Sequence, residues 1–106
     1  MAFLLVPLLT AVTGTGAGTA TYPVRKASRS FQAVVTGTGA VTATVVVEVS
    51  NDGVNFITMG TITLSGTTLA TDGFASFSQW YYVRGNVTAI TGTGATINLT
   101  MSVDIQ

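Results

Sequence analysis

Cysteine and histidine are both missing from this chain of 106 residues. Without them there is no disulfide, no thiolate nucleophile, no imidazole base and none of the usual zinc sites. Charge is scarce as well: four acids (Glu48, Asp52, Asp72, Asp104) stand against four bases (Arg25, Lys26, Arg29, Arg84). That is 8% of the residues, where a typical soluble domain has ~25%. A net charge of zero gives no electrostatic pull towards nucleic acid or an anionic membrane surface, so neither is expected as a partner. Long hydrophobic runs are lacking too, although 47% of the residues are hydrophobic and the mean hydropathy is +0.57. The longest apolar stretch, Ala2–Leu9, is broken by Pro7 and falls short of the ~20 residues of a membrane span. No Lys or Arg precedes it, so it does not read as a signal peptide either.

What the chain does have is threonine, valine and glycine. The pentapeptide TGTGA occurs three times, at Thr13–Ala17, Thr36–Ala40 and Thr91–Ala95. A glycine-rich phosphate cradle would need a helix N-terminus after it and usually a lysine. Each copy is instead flanked by β-branched, alternating residues. The pentapeptides are therefore read as tight turns between strands, with glycine supplying positive φ. Their uneven spacing excludes a solenoid repeat.

Period-2 alternation is plain in three places. Phe31, Ala33 and Val35 share one face; so do Val41, Ala43, Val45, Val47 and Val49; so do Ile97, Leu99, Met101, Val103 and Ile105. Such alternation marks antiparallel strands with one face in a core and one in water. Asn51–Gly53 reads as a turn, and Thr67–Gln79 as an irregular connection. The segment Val24–Ser30, with Arg25, Lys26 and Arg29, reads as an exposed charged link. The expected fold is all-β: a single antiparallel β-sandwich, jelly-roll-like or immunoglobulin-like, of seven to nine short strands. Residues 1–12 are expected to form either an apolar N-terminal arm or the first strand, a hairpin being the preferred form.

Catalysis has little to work with. No serine or threonine has a plausible base, and no acids pair within one motif, so no enzyme, cofactor or metal is expected. Asp52 and Asp72 lie in separate Asp-Gly turns and do not supply the six to eight oxygens of a calcium site. Asn86 and Asn98 open glycosylation sequons, here read as accidents of a threonine-rich chain. Trp80, Tyr81 and Tyr82 are the densest aromatic group, and stand as an alternative sugar-binding platform.

From Val45 to Thr67, "VVVEVSNDGVNFITMGTITLSGT", and from Trp80 to Val103, "WYYVRGNVTAITGTGATINLTMSV", the chain resembles small β-sandwich structural proteins of tailed bacteriophage virions. Similar strands occur in galactose-binding-like sandwiches, where a tryptophan usually stands at the place of Phe56. The phage resemblance implies a capsid decoration (cement) protein on the virion surface, without catalytic residues. It would form a homo-oligomer, with a trimer favoured, and bind the major capsid protein. The residues themselves agree with association. Lys26 is the only lysine, so strand edges are poorly guarded against pairing with another chain. Phe3, Leu4 and Leu5, with Arg25, Lys26 and Arg29, are expected to form the shell-facing surface. Sugar binding on a tail or fibre, or a tail or head-completion role, are the alternatives.

Overall fold

A computed structural model describes residues 3–21, 29–76 and 80–104. Among these residues the chain is all-β. Its strands are β1 (Phe3–Val12), β2 (Gly16–Ala17), β3 (Arg29–Ser50), β4 (Ile57–Ser76) and β5 (Tyr82–Asp104). They form one open antiparallel sheet in the order β1-β5-β3-β4, with β2 also paired to β5. The seven to nine short strands expected of a jelly-roll-like or immunoglobulin-like sandwich are thus corrected to five. The difference has a single cause: β3, β4 and β5 are 22, 20 and 23 residues long, and two TGTGA copies lie inside strands.

Strands of this length cannot be flat. At ~3.3 Å per residue, 22 residues would reach about 70 Å, yet the longest dimension of the Cα trace is 40 Å. The sheet folds over on itself. Leu99, which pairs with Ala33 in the later half of β5, packs against Gly85, which pairs with Val47 in its earlier half. Phe74 and Gly60, from opposite halves of β4, meet in the same way. Two facing layers of one continuous sheet enclose the core.

All three TGTGA copies sit on the fold line. Thr38 of the second copy pairs with Thr93 of the third, and the ladder shifts register on both sides of that pair. The first copy links β1, which ends opposite Ile97, to β2, which pairs with Val87; it therefore runs beside the third. On β4 the register shifts between the pairs Thr36–Leu69 and Ala40–Thr67, where Thr68 has φ of 64°. Gly39, Gly92 and Gly94 have φ of 74°, 126° and 65°. Extra residues in left-handed conformation bend a strand and let it change layer. The repeated motif is a corner, not a hairpin turn. Accordingly β1 and β2 form no hairpin with each other; both pair with β5, and residues 3–12 are a first strand.

Alternation sets the core. Phe31, Ala33, Val35, Val41, Ala43, Val45, Val47, Val49, Ile97, Leu99, Met101 and Val103 are all buried, joined by Leu8, Leu9, Ile62, Leu64, Val83 and Val87. The phenyl rings of Phe31 and Phe74 stack with centroids 5.1 Å apart. Thr67–Ser76, expected as irregular, continues β4. It lies on the sheet's edge, where burial is slight and the hydrophobic period is weak. Near the end of β1, Ala11 takes φ of 51° and its N–H is accepted by Asn98 Oδ1 at 3.0 Å. A side chain there serves a donor that the shifted ladder leaves over.

Candidate interaction surface

Because each long strand doubles back, its two ends lie at the same end of the molecule, away from the corner. Arg29 and Ser50 open and close β3; Tyr82 and Asp104 open and close β5. This end therefore gathers Leu4 and Leu5 from β1, the loop Asn51–Phe56, and Trp80–Tyr82. Of the shell-facing expectation, Leu4, Leu5 and Arg29 share this end with Trp80, Tyr81 and Tyr82, in different layers.

Leu4 and Leu5 are exposed (41% and 67%), opposite Val103 and Ser102 on the sheet edge. Phe3 continues the same strand opposite Asp104, and its side chain lies outside the described residues. So do Arg25 and Lys26. Arg29 was expected on an exposed link, and here the structure corrects the sequence reading. It is the first residue of β3 and only 3% exposed, with Nε and Nη1 lacking hydrogen-bond partners. Desolvation lowers its pKa from the usual guanidinium value. The reason is register: Arg29 shares the inward face of Phe31, Ala33 and Val35.

The aromatic group straddles the start of β5, and its members differ in exposure. Trp80 is half-buried against the core, Tyr82 is half-buried, and Tyr81 is 59% exposed. The rings of Tyr81 and Tyr82 are 4.9 Å apart, tilted by 39°. Tyr81 N–H donates to Asn51 Oδ1 at 3.3 Å, which ties the start of β5 to the loop.

The loop owes its shape to Asp52. Its Oδ1 accepts from Ser50 Oγ, Val54 N–H and Asn55 N–H, each at 2.8 Å, and Oδ2 accepts from Asn55 Nδ2 at 2.9 Å. These bonds favour the ionised carboxylate, led by the Asn55 side-chain amide, and hold its pKa well below the ordinary range. A depressed folded-state pKa means that the group stabilises the fold above its unfolded value near 4, and that this contribution fades as pH falls below it. Asp52→Asn should flatten the loss of thermal stability between about pH 5 and pH 2. Melting curves of both proteins across that range check it; parallel curves would sink the assignment.

On the outer face beside the loop stands a set that sequence reading missed. Arg84 Nε donates to Glu48 Oε1 at 2.8 Å, Asn86 Nδ2 donates to Glu48 Oε2 at 3.2 Å, and the Arg84 guanidinium lies 3.8 Å above the Phe56 ring centroid. Parity along β3 and β5 puts Glu48, Arg84 and Asn86 on outward faces, but only the register Glu48–Arg84 makes them neighbours. Asp72 accepts from its own neighbour, Gly73 N–H, at 2.8 Å. The three described acidic side chains are therefore committed to local bonds, and among the described residues no three metal-ligating side chains converge. Both sequon asparagines are likewise engaged, Asn86 with Glu48 and Asn98 with Ala11.

No family model, no curated protein and no solved structure matches this chain. The functional reading therefore rests on the surface itself. That surface offers exposed apolar side chains and open sheet edges for contact with another macromolecule.

Proposed function

We propose that this chain is a non-enzymatic virion structural protein, a capsid decoration protein that associates with itself and binds the major capsid protein lattice. In this reading the two facing layers act as a rigid β-sandwich that braces the shell. The observation that carries it is the open sheet: among the described residues β1 and β4 each pair on one side alone, and exposed large apolar side chains lie on them, Leu4 and Leu5 on β1, Ile57 and Leu69 on β4. Edges of this kind are covered in the working state of a protein that avoids aggregation. The commitment of Glu48, Asp52 and Asp72 to local bonds adds support, since acids so held are poorly placed for acid–base work.

The shell-facing surface in this proposal is the β1 end, with Leu4 and Leu5 at its centre. Leu5→Asp should leave folding intact, because that side chain is mostly in solvent. It should weaken co-sedimentation with decoration-stripped tailed-phage shells roughly tenfold per contact, the effect of one buried leucine. Repetition over the subunits of an oligomer multiplies that loss. A wild-type protein that never pellets with shells overturns the proposal; a Leu5→Asp protein that pellets undiminished moves the contact elsewhere.

Exposed Tyr81 beside Tyr82 favours one second reading, a sugar platform on a tail or fibre protein. Glycan binding that Tyr81→Ala abolishes would establish it in place of the first.

A further inference from the structure

The two edges of the sheet are not alike. β1 carries Pro7, which has no N–H to give a ladder, and its register shifts twice, between Pro7 and Leu9 and between Leu9 and Val12. Proline and bulges are how sheets blunt an edge. β4 has no proline, lysine, arginine or glutamate over its 20 residues; Asp72 is its single charge, and lies beyond the corner. Between the irregularity beside Val47–Glu48 and the corner at Thr67–Leu69, the run Gly60–Gly66 pairs with β3 without a shift. It is a straight, uncharged edge seven residues long.

We infer that this edge pairs with the same edge of a second copy, antiparallel, about a two-fold axis through Thr63. Three features favour a second copy as the occupant. A two-fold sets each residue near the centre opposite its own copy or a close neighbour, so any charge there would meet its like; this segment has none. The axis at Thr63 sets Thr61 opposite Ser65 and Ile62 opposite Leu64, so residues of the same face meet. Thr61, Thr63 and Ser65 are exposed while Ile62 and Leu64 are buried, so the inner apolar layer and the outer hydroxyl face would both continue across the junction. Finally, β1 is a poor partner for β4, because Pro7 and the two shifts interrupt the ladder that a head-to-tail contact needs. The inference deepens only the self-association part of the proposed function. It sets a two-fold contact in place of the trimer expected from the sequence, and does not depend on the shell.

Because the chain has no cysteine, the axis can be tested directly. Thr63→Cys should give a disulfide-linked dimer under mild oxidation, since a residue facing its own copy across an antiparallel pair lies within disulfide range. Thr88→Cys, exposed on the inner strand β5, should not. By light scattering the wild type should have the mass of two 10.8 kDa chains. Thr63→Lys and Thr63→Glu should each raise the dimer Kd about a hundredfold with folding intact by circular dichroism, and an equimolar mixture of the two should dimerise again. A wild-type monomer at all concentrations overturns the inference. So does an oligomer indifferent to Thr63→Lys, and both outcomes leave shell binding to be judged by its own assay. Thr63→Lys that abolishes shell binding by a monomeric wild type would assign the edge to a capsid-protein strand instead.

Discussion

Leu99→Ala is expected to lower the unfolding free energy by about 3 kcal/mol, within the range for leucine truncated in a closed core. For a domain of this size that is a fall in Tm of roughly 12 °C or more. Leu99 is fully buried and bridges the layers: its Cδ2 would lie 2.6 Å from a Cβ built on Gly85. Around it, Gly85 and Ala33 have little or no side chain to move into the space, and Leu9, its β1 partner against the same Gly85, can fill only part of it. Part of the cavity therefore stays open, which puts the cost towards the lower end of the range. Thr100→Ala, on the same strand but the outer face, should change stability by no more than about 0.5 kcal/mol. Urea melts of the two variants are the measurement. If Leu99→Ala cost under about 1 kcal/mol, the halves of the sheet would not be pressed together at this point.

The corner makes the second large prediction, a contrast between two glycines. At Gly39 φ is 74° and an added Cβ would meet nothing, so Gly39→Ala should cost only the left-handed backbone, about 1 kcal/mol. At Gly92 φ is 126°, a region that L-residues scarcely enter, and an added Cβ would stand 2.9 Å from the Ala40 carbonyl oxygen and from Val41 Cγ1. The carbonyl belongs to the neighbouring strand's backbone and cannot swing away. Strain and clash together should bring Gly92→Ala to about 3 kcal/mol. Equal, small effects at both sites would mean that the corner is not held in the conformation described.

The same corner explains where sequence reading succeeds and where it stops. Inward faces were legible because alternation survives wherever one face is dry: Phe31 to Val35, Val41 to Val49 and Ile97 to Val103 are buried at every second residue. The turn at Asn51–Gly53 was legible because Asp-Gly chemistry is local. The role of TGTGA was not. Positive φ at glycine serves a reversal and a bend equally well, and what decides between them is the pairing partner, which lies tens of residues away. Thr38 beside Thr93 and Thr36 beside Leu69 are facts of register that no pentapeptide carries. β4 hid beyond the corner because an edge strand buries too little for a period to show.

At the candidate surface, the apolar run Ala2–Leu9 did not tell its exposed leucines, Leu4 and Leu5, from its buried ones, Leu8 and Leu9, since it has no alternation of its own. Arg29 was legible after all, had parity outweighed charge: it stands two residues before Phe31, and that spacing puts both on one face. The Glu48–Arg84–Asn86 set was not, since two strands must be aligned before an acid and a base 36 residues apart become neighbours.

The strand order also ranks the sheet's pairings by the length of chain each must close. β3 and β4 are joined through the Asp52 loop, so their ladder zips from Val49–Ile57 outward with little loop entropy to overcome. β5 adds to the other side of β3 next. The β1–β5 pairing joins Phe3 to Asp104, almost the whole chain, and by the logarithmic cost of loop closure it closes late. Until it closes, the hydrogen-bonding groups along β5 and the side chains of Leu8 and Leu9 remain uncovered. By this ranking the outer side of β5 is the last seam that the fold covers.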